Sequence, residues 1–136
     1  MTKADPSPRL LIPVVVGRED TLAVVDTGGV YFICTPPFAR LIGLDPSQQL
    51  GAAGPVLWRG ALMQGGLHFV RLTFPAIEGN SIAIGVTAFV PRLSRGQEWN
   101  DELPCVLGMQ FCLERLRFAV DPEHDMFYFG ELGEAS

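Results

Sequence analysis

The residues best placed to do chemistry lie in "TLAVVDTGGVYFI", residues 21–33. A run of strand-forming side chains reaches Asp26, and Thr27, Gly28 and Gly29 follow before apolar residues resume. A carboxylate at the end of an apolar strand can take up and return a proton, and beside a second carboxyl it can polarise a water molecule. The glycines leave the backbone next to it uncovered, so that it can approach the carboxyl or a bound molecule closely. The competing reading is a turn in which Asp26 accepts bonds from its own loop, common for Asp before Thr-Gly. His68 and His124 read as structural or surface residues, and no metal or other cofactor is expected. Cys34, Cys105 and Cys112 are odd in number and lack a C-x-x-C spacing, so they read as buried, reduced thiols and not as a disulfide framework.

The elements that must position Asp26 are mostly strands. "RLLIPVVVG" (9–17) and "TLAVVDTG" (21–28) are β-rich runs, with "REDT" as the turn of a hairpin. "TPPFARLIGL" (35–44) predicts a short helix with Thr35 as N-cap, Pro36 in the first turn, an apolar face of Phe38, Leu41 and Ile42, and Gly43 at its end. The Gly-rich "LGAAGPVLWRGALMQGG" (50–66) reads as a mobile hairpin or loop, and "LHFVRLTF" (67–74) and "SIAIGVTAFV" (81–90) as strands. "PRLSRGQEWNDEL" (91–103) reads as a surface loop. "PCVLGMQFCLERLRF" (104–118) begins as a strand and is expected to turn helical near Met109, with "FCLERLRF" an amphipathic helix running into a strand. "RFAVD" and "MFYFGE" form a last hairpin around "PEHD". The sum is an all-β domain of seven or eight short strands with one or two short helices.

Composition bounds the function. At 136 residues the chain makes one domain. We divide it into a flexible leader (1–8), the folded domain (9–131) and a C-terminal tail (132–136). A net charge of −5 with no Lys/Arg cluster argues against a nucleic-acid partner. The apolar run "LLIPVVV" is too short for a membrane span and lacks the flanks of a signal peptide, so the cytoplasm is expected, and the periplasm if a leader has been removed.

From Arg9 to Gly130 the order of these parts resembles the retropepsin-like aspartic proteases, the single-domain relatives of retroviral protease. "LLIPVVVGREDTLAVVDTGG" resembles that family's first hairpin and catalytic loop, and "VLG" (106–108) its hydrophobic-hydrophobic-Gly motif. "GAAG" (51–54) falls where the tip of the flap belongs, and "FAVDPEHDMFYFG" resembles the closing strands. The resemblance implies a closed acid-protease barrel with a flap hairpin and a homodimeric active site. This chain has a single Asp-Thr-Gly, so the second carboxyl would come from a second copy. Two carboxyls about 3 Å apart cannot both ionise and would share a proton.

The implied catalytic residues are Asp26, Thr27 and Gly28, with Gly29, Gly51, Ala52, Ala53, Gly54 and Trp58 against an extended polypeptide substrate. The chain departs from the viral pattern at Gly29, where Ala or Ser is usual, and at Val30 and Met109, which replace an Asp–Arg pair. The implied activity is that of an aspartic endopeptidase; the alternative is a peptide-binding or dimerisation module of the same fold with little or no hydrolysis.

Overall fold

The computed structural model describes residues 10–44, 49–58, 61–93 and 103–132. The leader, the tail beyond Leu132 and most of loop 91–103 therefore lie outside the described residues. The chain forms β1 (Leu11–Val16), β2 (Glu19–Val25), β3 (Phe32–Ile33), α1 (Pro36–Leu41), β4 (Gly51–Trp58), β5 (Ala61–Phe74), β6 (Ile82–Pro91), β7 (Cys105–Leu107), β8 (Leu116–Asp121) and β9 (Met126–Glu131).

β1 shows how sequence becomes strand. Ile12, Val14 and Val16 are buried while Leu11, Pro13 and Val15 point the other way, the period of two expected of branched residues on a pleated surface. Pro13, which has no N–H to give, falls where β1 has only β2 beside it, since β5 pairs with Val15 and Val16 alone.

Seven strands run in the order β1-β2-β7-β3-β6-β5-β4, and the additional β1–β5 pairing closes six of them into a barrel. β8 and β9 form a separate antiparallel pair. Its aromatic face, Phe118, Phe127 and Phe129, packs on the main core, with Phe127 and Phe129 both in ring contact with Phe74. Inside the barrel Val14, Val16, Phe32, Leu72, Phe74, Val86 and Leu107 are essentially inaccessible to water.

Several boundaries differ from the sequence reading. The first hairpin turns at Gly17–Arg18, with φ +63° at Gly17, so most of "REDT" belongs to β2. α1 forms as expected and ends where Gly43 takes φ +81°, but the Thr35 side chain makes no cap bond and Leu41 is exposed. The helix expected after Met109 is absent among the described residues. A single 3-10 turn, Leu113–Arg115, stands there, because Phe111 takes φ +61° and Cys112 an extended φ of −144°. Of the two readings of the Gly-rich 50–66 segment, the hairpin holds: β4 and β5 pair across it, with a register shift between Ala53 and Val56. No described helix is long and apolar enough to cross a membrane.

Candidate active site

Asp26 follows directly on β2 and is held by backbone bonds from three directions. Its N–H donates to the Leu107 carbonyl (2.9 Å), extending the β2–β7 ladder by one bond. Its own carbonyl accepts the Gly29 N–H (3.0 Å), and the preceding Val25 N–H donates to Leu10 (3.0 Å). The carboxyl is oriented from within its loop, the Gly28 N–H donating to Oδ1 at 3.1 Å. This bond is the one the turn reading requires, and it also fixes the side-chain rotation that an acid–base role needs.

The loop beyond Asp26 is tied to the strand end of "VLG". The Met109 N–H donates to the Gly29 carbonyl (2.8 Å), and the Gly108 N–H to that of Tyr31 (3.0 Å). Gly108 is required for this approach, since a Cβ there would stand 2.4 Å from the Tyr31 carbonyl oxygen and 2.9 Å from the Gly29 carbonyl carbon. Gly29 has more room: a Cβ would lie 3.4 Å from its nearest neighbours, Asp26 O and Gly108 Cα. The missing methyl at Gly29 therefore does not leave the loop unanchored. In the single chain the burial of the strand stops short of the carboxyl: Val24 is buried, and Asp26, Thr27 and Gly28 are exposed.

Strand register lays out the floor beside this loop. Directly paired residues share a face of a sheet, so the pairings Leu11–Val24, Val24–Val106, Val106–Ile33, Ile33–Phe89 and Phe89–Leu67 trace one apolar row across six strands. Ile33, Phe89 and Val106 form a cluster separate from the barrel core, and Tyr31, Val56, Met63 and Leu67 pack on it. Val56 and Met63 are cross-strand partners in the β4–β5 hairpin. β6 ends at Pro91 opposite Gly65, and one further bond, from the Arg92 N–H to the Gln64 carbonyl (2.8 Å), follows. Beyond it the described hairpin residues pair only with one another, and Val56 and Met63 pack on the cluster.

The register moves the flap tip. The last pair of the hairpin is Trp58–Ala61, leaving residues 59 and 60, outside the described ones, to join them. Gly51, Ala52 and Ala53 instead pair with Leu67, Gly66 and Gly65 at the hairpin's base, and Gly54 follows at a register shift between Ala53 and Val56. The expectation that Gly51–Gly54 form the tip is thus corrected. Glycine content marks a segment but does not set a register, whereas counting back from the Leu67 pairing does.

Other candidates take quieter places. His68 is buried, and its partner Ala88 lies in the barrel core. His124 is exposed and shares a 2.8 Å hydrogen bond with Asp121. Asp121, Glu123 and His124 hold donor atoms within 4.8 Å of one another, but Glu123 and His124 are exposed turn residues and Asp121 is the half-buried end of β8, and exposed acidic groups are common without an ion. The three cysteines are free and buried. Sequence reasoning missed Tyr31 and Phe111, whose rings stack at 5.6 Å beside the loop; an aromatic pair eighty residues apart leaves no local signal.

No family model and no curated protein sequence matches the chain. Solved structures do. A retropepsin-like aspartic protease from Rickettsia conorii superposes with a TM-score of 0.54 at 17% identity, over 83% of this chain and 76% of that one. The retroviral protease-like domain of Ddi1 from Leishmania major superposes with a TM-score of 0.55 at 15% identity, over 95% and 99% of the two chains. The fold is that of the retropepsin-like aspartic proteases.

Proposed function

We propose that the protein is an aspartic endopeptidase that works as a homodimer, with Asp26 of two copies meeting across a two-fold axis. The observation carrying this reading is Asp26 itself: one exposed carboxyl per chain, oriented by Gly28 N–H, on a loop bonded at Gly29 and Tyr31 to the strand end of "VLG". In the pair, one ionised carboxyl takes a proton from water as the oxygen attacks the peptide carbonyl carbon. The other, protonated, carboxyl donates to the carbonyl oxygen. Breaking the C–N bond of the tetrahedral intermediate then needs a proton delivered to the leaving amine, which the carboxyl that gained one can return, while the carboxyl that gave one takes a proton back from a hydroxyl of the intermediate. Thr27 would brace the two loops against each other, and the β4–β5 hairpin would close over an extended substrate and bond its backbone as an added strand does. The apolar row beneath favours apolar side chains. Three free, buried thiols suit a reducing compartment, the cytoplasm.

The test is cleavage of a fluorogenic peptide library between pH 4 and 7, across protein concentration, with Asp26→Asn in parallel. Turnover rising faster than linearly with concentration, and falling by at least about 10²-fold in the variant, is expected. Equal cleavage by both proteins would point to a contaminant. No cleavage by a verified dimer would leave a binding module of the same fold.

A further inference from the structure

Phe111 has a backbone that its side chain disfavours. Its φ of +61° is in the left-handed region, where a bulky residue with a Cβ is an outlier and Gly or Asn is at ease. The conformation is secured from both sides: the Phe111 N–H donates to Glu114 Oε2 (3.0 Å), and the Phe111 carbonyl accepts from the Thr87 N–H (3.3 Å). What the chain gains is the position of the ring. Phe111 stacks on Tyr31 (centroids 5.6 Å apart, planes at 15°), and Tyr31 in turn on Phe89 (6.0 Å, 17°). The three rings climb from the floor of the cluster to the surface, Phe89 being inaccessible and Phe111 40% exposed.

The stack belongs to the candidate site by backbone bonding as well. Tyr31 accepts from Gly108, and Phe111 lies three residues beyond Gly108, so both rings leave from the two segments that anchor the catalytic loop. Val30, also exposed, adjoins them. A strained backbone held in place beside a candidate site is a sign of function when an observed outlier, and not the function, is the starting point. A ring kept only for packing would be enclosed; this one ends a stack in the open.

We propose that Phe111 and Tyr31 form an aromatic shelf that receives an aromatic side chain of the extended polypeptide substrate, away from the bond that is cut. Its rings leave from the segments that anchor the Asp26 loop and not from Asp26 itself, so the side chain served is one remote from that bond. The inference rests on the substrate being an extended polypeptide, as proposed above, and it makes specificity depend on a residue outside the Asp-Thr-Gly loop and the flap.

The experiment measures peptide binding to the Asp26→Asn protein, so that no turnover is needed, and compares peptides carrying Phe or Ala at each position around the bond site. Parallel measurements use Asp26→Asn combined with Phe111→Gly or with Phe111→Trp. The Phe peptide should bind about tenfold more tightly than the Ala peptide at one remote position. Phe111→Gly should bring that ratio to about twofold or less, and Phe111→Trp should preserve it. Glycine suits the backbone, so the variant keeps its fold, which its melting curve verifies. A ratio unchanged in Phe111→Gly, equal weakening of both peptides, no aromatic preference at any position, or an effect on self-association alone would each overturn the shelf. Failure of the protease reading shows elsewhere, as absent turnover by the chain with Asp26 intact.

Discussion

At the scale of single residues, two glycines of the candidate site differ in what they permit. Gly108 faces the Tyr31 backbone at a distance no Cβ can occupy. Gly108→Ala should therefore destabilise the fold by about 1–3 kcal/mol or more and misplace the loop after Asp26, read as a lower denaturation midpoint with loss of any turnover. Gly29→Ala should do the reverse, because its Cβ meets only ordinary contacts and the unfolded chain loses freedom. A gain of about 0.4–1 kcal/mol is expected in the same measurement. A destabilised Gly29→Ala protein would show that the loop needs more room than the single chain reveals. The Asp-Thr-Gly residues were legible in the sequence because their chemistry is local: three adjacent residues and a preceding apolar run. The steric demand at Gly108 was not, since it arises from a carbonyl seventy-seven residues away.

At the scale of elements, what was legible followed the period of the side chains. β1, β2, β6 and the final hairpin were read to within a few residues, because alternation or branched runs marked them. The helix after Met109 failed because the apolar spacing of "FCLERLRF" fits either a helix or a turn feeding a strand, and one left-handed residue, Phe111, decides between them. The flap hairpin was found but its register was not. That register gives a prediction. Met63, half-buried, packs with Val56 on Ile33, Phe89 and Val106, and these contacts hold the hairpin beyond Gln64, where no third strand pairs with it among the described residues. Met63→Ala should lower global stability by about 1 kcal/mol, less than the 2–5 of a fully buried Met, while amide exchange across 54–58 and 61–64 accelerates more than in the barrel strands. Uniform acceleration would mean that the hairpin and barrel open together.

At the scale of the whole molecule, burial of the thiols sets the response to alkali. Burial pushes Cys112 up to about 12 despite the nearby Arg115, and the hydrogen bond to Cys105 together with burial holds Cys34 above its ordinary range. The unfolded chain releases these protons near the ordinary value of 9.0, whereas the native chain keeps them. Cys105 is lowered by the hydrogen bond that raises Cys34, so the two oppose each other, and the window is set by Cys112. Between about pH 9 and 12 the native state keeps a proton that the unfolded chain has released, and the stability this contributes is full below pH 9 and falls as pH rises through that window. The denaturation midpoint should drop from pH 8 to pH 10.5, less steeply in Cys112→Ala, and a thiol reagent at pH 8 should find no reactive cysteine until the protein unfolds. Burial of the cysteines was legible from their type and lack of motif. Closure of the barrel was not, because it depends on two pairs, Val15–Thr73 and Val16–Leu72, more than fifty residues apart.

That closure leaves β4 as the end strand of the seven-stranded sheet, with β5 on one side and no neighbour on the other among the described residues. An open edge of this kind is where chains join one another into aggregates. Here Pro55 has no N–H to offer, and the register shift between Ala53 and Val56 breaks the ladder within the same few residues. The edge is therefore a poor template for the long, unbroken pairing on which a fibril grows.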